Sequence, residues 1–414
     1  MSSRRTFLTR SLALAAAPLA GCRFTLEQGL FNECRAPGGH AVLRHPLVAA
    51  AWDGLRPERV WDCHAHLFGN GKSGKGIWLN PEWDSVLTPA ARARRIFYVN
   101  ASCGGEDDER LDAGIVRRMT HVADELPAGA KVVLLAFDFT YDEKGARRED
   151  LTAFCIPNEY AAGIARSRPD RFEWVASIHP YRPDAIAALE SAKREGARAV
   201  KWLPPAMGID PASAQCTPFY EALQRLDIPL LAHVGEEQAV KGAAAHALGN
   251  PLLLRHALDR GVRVIAAHCA TLGASADLDR SSNPGKAPDV PNIELFARMM
   301  AERRYEKLLF GDLSAVTQVN RAEHLPTLLE RQEWHPRILN GSDYPLPGVM
   351  PLFSLDRLVQ AGLLEAQALP VLKELRQTNA LVFDFVLKRS LRHRGGRFAA
   401  SIFETRDFFL RPAA

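Results

Sequence analysis

Short apolar runs recur along the chain, and between them hydrophobic positions fall at helical spacing. The runs lie at 59–63, 131–139 ("KVVLLAFDF"), 172–178, 197–202, 228–233 ("IPLLAH"), 262–268, 307–313 and 337–343. Each suits a strand buried on both faces. The intervening stretch "DAIAALESAKREG" places Ile186, Leu189 and Lys193 at helical spacing and ends on Gly196, a helix stop. "PLLLRHALDRG" and "RAEHLPTLLERQ" read alike. Eight buried strands separated by helices predict an α/β fold, a (β/α)8 TIM barrel, rather than two doubly wound domains. The interval 67–130 is too long for one crossover, so it predicts an insertion after the first strand, over the barrel mouth. The segment 275–291 ("SADLDRSSNPGKAPDVP") is a second long loop and is expected to act as a lid.

Composition leaves this picture intact. The 414 residues are 47% hydrophobic and 24% charged, ordinary for a globular chain. The first residues are a separate matter. "SSRRTFLTR" with Arg4 and Arg5, followed by "SLALAAAPLAGC", resembles a twin-arginine export signal. Its end, "LAGC", resembles a bacterial lipobox, with cleavage before Cys22 and lipid on its sulfur. This implies a signal peptide over 1–21, a tether over 22–50 and the barrel domain over 51–414. It also implies the twin-arginine export machinery as partner and a periplasmic lipoprotein anchored to membrane through lipid on Cys22. Removing 1–21 takes away Arg4, Arg5 and Arg10 and no acids, so the formal charge falls from +4 to +1. Such a balance argues against nucleic acid as a partner. No later segment approaches the ~20 apolar residues of a membrane span. The cluster Lys388, Arg389, Arg392, Arg394 and Arg397 reads as a solvated helix end. Cysteines 34, 63, 103, 155, 216 and 269 lack C-x-x-C spacing, which excludes a zinc ribbon and leaves disulfide pairing open.

The candidate chemistry begins at "VWDCHAHLFGNGKSGKG", residues 60–76. Gly69, Gly74 and Lys75 imitate a phosphate-binding loop, but Gly76 stands where Ser or Thr is needed and no helix follows. The glycines therefore read as a loop. Alternation along the first strand would put Asp62, His64 and His66 on one face and Cys63 and Ala65 on the other. Two imidazoles about 7 Å apart on one strand can share a cation. In a TIM barrel the functional side chains come from the C-terminal ends of strands. The polar residues at those ends are His64, His66, Lys201, His233, His268 and Asp343. Nitrogen and oxygen ligands converging in one cleft suit a catalytic metal.

The ordered set "DCHAH", "AVKW", "LLAHVG", "AAHCA" and "GSDYP" resembles the amidohydrolase-2 branch of the amidohydrolase superfamily, from Val60 to "QTNALVFDF" at 377–385. The resemblance implies a small-molecule substrate and a divalent cofactor, zinc, as one or two ions. It implies that His64, His66 and Asp343 bind the first metal and that His233 is a further ligand. His268 is then a ligand or a partner of substrate. Lys201 is either a carboxylated bridge between two metals or a cation facing an anionic substrate. Asp343 is placed to move protons between water and leaving group, making it, with His268, the expected catalytic pair. Asp62 is expected to support a ligand rather than bind metal. Glu236 and Glu237 are candidates for substrate contact against a default of solvated loop carboxylates, and His179 is a candidate pocket residue. The implied activity is hydrolysis of an amide, lactone or related C–N or C–O bond. The same branch includes metal-dependent non-oxidative decarboxylases, and a non-catalytic binding lipoprotein is the reading from a different class. Specificity is expected from loops 67–108, 236–249, 275–291 and 344–352.

Overall fold

All eight apolar runs contribute strands. The computed structural model describes residues 32–410 except 36, 37, 39, 106, 241–245 and 282. The strands are β1 (Trp61–His66), β2 (Lys131–Leu135), β3 (Phe172–Val175), β4 (Val200–Trp202), β5 (Leu230–Ala232), β6 (Val264–Ala266), β7 (Leu309–Asp312) and β8 (Ile338–Leu339). They pair in parallel as two arcs, β1–β2–β3 and β4 through β8. Single parallel bridges join the arcs, Ala176 with Val200 and Ala65 with Tyr344. Across those seams the Lys201 amide donates to Ala176 O at 2.7 Å and the Asp343 amide donates to His64 O at 2.8 Å. The sheet is thus a closed barrel without edges.

Alternation sorts the strand residues into two layers. Cys63, Val133, Val175, Leu231, Ile265, Phe310 and Leu339 of seven strands, with Ala199 just before β4, form the barrel interior. Neighbours such as Val132, Val200, Trp202 and Leu230 face the helices. The N-terminal end of the barrel is plugged by the end of the chain. Phe408 packs edge-on against Phe310, with ring centroids 4.7 Å apart, and Arg263 lies over the Phe408 ring and donates to its carbonyl at 2.8 Å. Only the C-terminal end remains for a site.

The insertion between β1 and β2 covers that end. It contains α1 (Pro89–Ser102), begun by Pro at its first position, and α2 (Leu111–Asp124). Helix α1 is seated by stacked rings: Tyr98 lies 5.2 Å from Phe68 and 5.7 Å from Trp83. Gly114 of α2 approaches the preceding turn so closely that a Cβ there would fall 1.8 Å from Gly104 O, so only glycine fits. A disulfide joins Cys103, just past α1, to Cys34.

Several expectations change. The stretch 40–50 of the expected tether is folded: it runs into the helix Pro46–Ala51, which buries Val48 and Ala51. The signal segment and Cys22 lie outside the described residues. The described residues of the 275–291 segment form no lid over the cavity. Ala274–Ala276 and Asp289–Pro291 pair as an antiparallel hairpin, and the buried Asp277 takes both oxygens to Arg298 at 2.8 Å. Lys388 is not solvated either. It is buried on the helix Ala380–Ser390, where its Nζ donates to Asp384 at 2.5 Å and to Gly341 O at 2.6 Å.

Candidate active site

The first strand departs from strict alternation. Its pairing with β2 shifts register between Asp62 and Ala65, a bulge that re-aims the side chains around it. Cys63 therefore packs in the barrel interior while Ala65 joins the outer layer. The expectation that these two share a face fails for this reason. Asp62 turns to the neighbouring loop, where its Oδ1 accepts from the amides of Ser342 at 2.8 Å and His64 at 3.1 Å. It braces the strand end, as expected of a supporting residue.

His64 and His66 meet at their Nε2 atoms, 3.2 Å apart. Asp343 Oδ1 lies 3.1 Å from His66 Nε2 and 3.5 Å from His64 Nε2. On its other side His64 Nδ1 lies 3.0 Å from Asp312 Oδ2. An ionised carboxylate only accepts, so Nδ1 carries the proton and the Nε2 lone pair faces the cavity. His268 is turned the same way: its Nδ1 lies 3.0 Å from Ser314 O, which only accepts. Burial, with the Lys201 charge adding to it, lowers His64 to about 4. Burial and the charge of Arg321 lower His268 to about 3. Burial also holds His233 well below the ordinary value. These rings are neutral at pH 7, the form that ligates metal.

His233 lies at the end of β5 with its ring centroid 5.1 Å from that of His268. Its Nε2 is buried without a hydrogen bond among the described residues, 3.4 Å from Glu237 Oε2. Glu237 is not a solvated loop residue: its Oε1 accepts from the amides of Ala239 and Val240. Lys201 projects inward from β4 as alternation predicts, with Nζ 3.3 Å from His64 Nε2, and its burial lowers the ammonium's pKa. Burial alone would raise the Asp343 carboxyl; the His66 contact and the surrounding histidines outweigh it and keep the group ionised. Asp343 and His268 also adopt left-handed backbone, φ 63° and 58°, costly for residues with a Cβ and characteristic of functional positions.

All six sequence-identified residues, His64, His66, Lys201, His233, His268 and Asp343, line one cavity of about 560 Å³, within the usual range for small-molecule sites. Helix α1 roofs it with Phe97 and Tyr98, and Glu237 stands in its wall. Loops 67–108, 236–249 and 344–352 contribute to the lining; the described residues of 275–291 do not. His179 lies elsewhere, with Nε2 on Met207 O at 3.0 Å and Nδ1 accepting from the Tyr181 amide at 3.2 Å. Glu236 is likewise outside the lining.

Two residues escaped the sequence reading. Asp312 ends β7 and is wholly buried. It takes His64 Nδ1 on one oxygen and the amides of His268 and Ser314, each at 2.9 Å, on the other. Its place after "KLLFG" is the same strand-end position that marked the rest. Ser314, whose Oγ lies 3.0 Å from His64 Nδ1 and 2.8 Å from His268 Nδ1, completes the bracing.

Two groups of three within this cluster hold one ligand atom each inside 4.8 Å: His64, His66 and Asp343, and His64, His268 and Asp312. The donor set fits a divalent cation: lone pairs of two imidazoles and a carboxylate converge, and the other ring nitrogen of His64 donates to a carboxylate, the usual support of a metal-bound imidazole.

Residues 61–376 match the family model described as Amidohydrolase. No curated protein matched the chain. Among solved structures, an uncharacterised TIM-barrel protein from Bordetella bronchiseptica is 15% identical, covering 80% of this chain and 99% of that one, with a TM-score of 0.46. A probable 2-pyrone-4,6-dicarboxylic acid hydrolase from Acinetobacter baumannii, solved with citric acid bound, is 13% identical over 80% of this chain and 99% of that one, TM-score 0.41. A 5-carboxyvanillate decarboxylase from Novosphingobium aromaticivorans, solved with manganese, is 13% identical over 79% of this chain and 93% of that one, TM-score 0.40.

Proposed function

Because the chain belongs to the amidohydrolase family, we propose that it is a metal-dependent hydrolase of an amide, lactone or related C–N or C–O bond. One observation carries the reading: His64 Nε2, His66 Nε2 and Asp343 Oδ1 converge within 3.5 Å while the His64 proton is held away by Asp312. His64, His66 and Asp343 would hold the cation, with His233 and His268 as further ligands on the same cavity floor. The cation, zinc in this reading, supplies Lewis acidity that polarises a carbonyl and acidifies water. Asp343, ionised and facing both imidazoles, takes a proton from the attacking water and returns it to the leaving nitrogen or oxygen. His268, neutral with its Nε2 toward the cavity, accepts a hydrogen bond or a metal. Lys201, its charged form disfavoured by burial, is available as the amine of a carboxylated bridge for a second ion. Phe97 and Tyr98 exclude water from above.

The reading extends to location. A signal peptide over 1–21, lipid on Cys22 and a periplasmic, membrane-anchored barrel are supported by "RR" and "LAGC" in the sequence. The Cys34–Cys103 disulfide suits an oxidising compartment.

Purified mature protein, analysed for metals and then offered a panel of amides, lactones and aromatic acids, tests the proposal. Hydrolysis that is lost on chelation and restored by metal is expected. Release of CO2 from an acid without hydrolysis of any ester or amide would replace it with the decarboxylase reading. Bound metal with no turnover of any kind would replace it with a binding protein.

A further inference from the structure

Of the other buried arginines among the described residues, Arg376 meets the Met350 sulfur at 2.6 Å and two meet oxygen acceptors. Arg118 donates to Arg35 O at 2.6 Å and to Thr378 O at 2.8 Å, and Arg263 holds Asp227 at 2.9 Å together with the Phe408 carbonyl. Arg321 differs. It lies on the loop after β7, is 5% exposed and lines the cavity described above. Among the described residues its guanidinium makes one long hydrogen bond, 3.4 Å to Thr271 Oγ1. No carboxylate oxygen of a described residue comes within 4.0 Å, and its Nε has no partner. One turn earlier Gln318 also lines the cavity, is 7% exposed, and its Nε2 donor is equally without a partner.

A buried charge without a counter-ion is costly, and folds retain one where a partner arrives from outside. Asp343, Glu237 and Asp312 feel the Arg321 charge from beyond contact, but their oxygens are committed to histidines and backbone amides. One guanidinium without a close counter-ion matches one planar carboxylate, which meets its fork with two oxygens. Phe97, Tyr98, Phe137 and Leu352 supply an apolar face to the chamber, beside the polar side chains of Arg94, Gln238 and Asn320.

We propose that Arg321, assisted by Gln318, is the receptor for a carboxylate on the substrate, and that the substrate is an amphiphilic monocarboxylic acid. The carboxylate sits at the β7 wall, the apolar or aromatic body lies under α1, and the scissile group reaches the floor at His64, His66 and Asp343. This rests on the cavity being the enzyme's substrate site, but its test needs no turnover.

Calorimetric titration of the metal-loaded protein with 3-phenylpropanoate and with 3-phenylpropanamide separates charge recognition from apolar fit. The acid is expected to bind at least about tenfold more tightly than the amide, the size of a charge-assisted hydrogen bond. Arg321→Met and Arg321→Gln should both abolish that preference while leaving amide affinity and metal content unchanged. Arg321→Lys should keep part of it. Equal affinities in the wild type, or a preference that survives Arg321→Met, would overturn the assignment, the latter by showing that the carboxylate is held elsewhere, on the metal or on Arg94. A protein that hydrolyses nothing but shows the Arg321-dependent preference would defeat the proposed reaction and leave this receptor standing.

Discussion

Asp312 Oδ2 lies 3.0 Å from His64 Nδ1, with both side chains wholly buried. That contact decides which nitrogen of His64 faces the cavity. Asp312→Asn keeps the shape and loses the charge that orients the ring and raises its basicity. Metal affinity should fall about 10- to 100-fold, the usual effect of removing such support, and competition against a chromogenic chelator measures it. Unchanged affinity would show that His64 needs no orienting partner.

Asp343 and the two histidines of β1 should separate cleanly. Asp343→Asn can still offer an oxygen to metal but cannot carry a proton, so turnover should drop about 10²–10⁴-fold with most metal retained. His64→Ala combined with His66→Ala should lose metal and activity together. Elemental analysis beside a kinetic assay reads both, and an active Asp343→Asn enzyme would remove that residue from the proton path.

His179 offers a pH test away from the metal cluster. Its Nε2–H donates to Met207 O and its Nδ1 accepts from Tyr181 N, so only the neutral ring satisfies both bonds. Burial lowers it to about 4 from 6.5. Between those values the unfolded chain binds the extra proton and the folded chain does not, so this group's contribution to stability is present above 6.5 and is lost as pH falls toward 4. Its slope is at most about 1.4 kcal/mol per pH unit. Urea unfolding of metal-free protein at pH 5, 6 and 7 should show stability rising with pH, and His179→Gln should make that rise less steep by one group's share, the buried His64, His233 and His268 supplying the rest. A variant with the same slope as wild type would assign the proton uptake elsewhere.

The proposed export signal makes its own demands. Arg4→Lys with Arg5→Lys should keep the protein out of the periplasm, and the wild-type mature chain should begin at an acylated Cys22. Mass spectrometry of the N-terminus, with a non-reduced peptide pairing Cys34 and Cys103, reads both features. An unmodified Cys22 or a different cleavage point would end the lipoprotein reading.

What could be read in advance follows the physics of each feature. Strands buried on both faces leave unbroken apolar runs, so all eight were visible, and His233, His268 and Asp343 stood out as polar residues closing such runs. Asp312 closes one too, but inside "LFGDLS" it resembles any polar strand terminus; its importance comes from His64, 248 residues away in sequence. The face of Cys63 was misjudged because a bulge shifts the register at Asp62–Ala65, and one extra residue leaves no mark in composition. Arg321 was invisible for a different reason: its interest lies in partners it lacks, which only packing reveals. The lid expected at 275–291 failed because Arg298, on the helix that follows, clamps Asp277 at the head of the loop.

The bond between Cys34 and Cys103 also works as a leash. It fastens the N-terminal strand of chain to the end of α1, the helix that roofs the cavity. With lipid on Cys22, eleven residues separate that anchor from the knot at Cys34, a reach of at most about 40 Å when fully extended. The mouth of the barrel would then patrol a thin shell above the membrane, sampling whatever leaves or approaches the lipid surface before it mixes with the bulk.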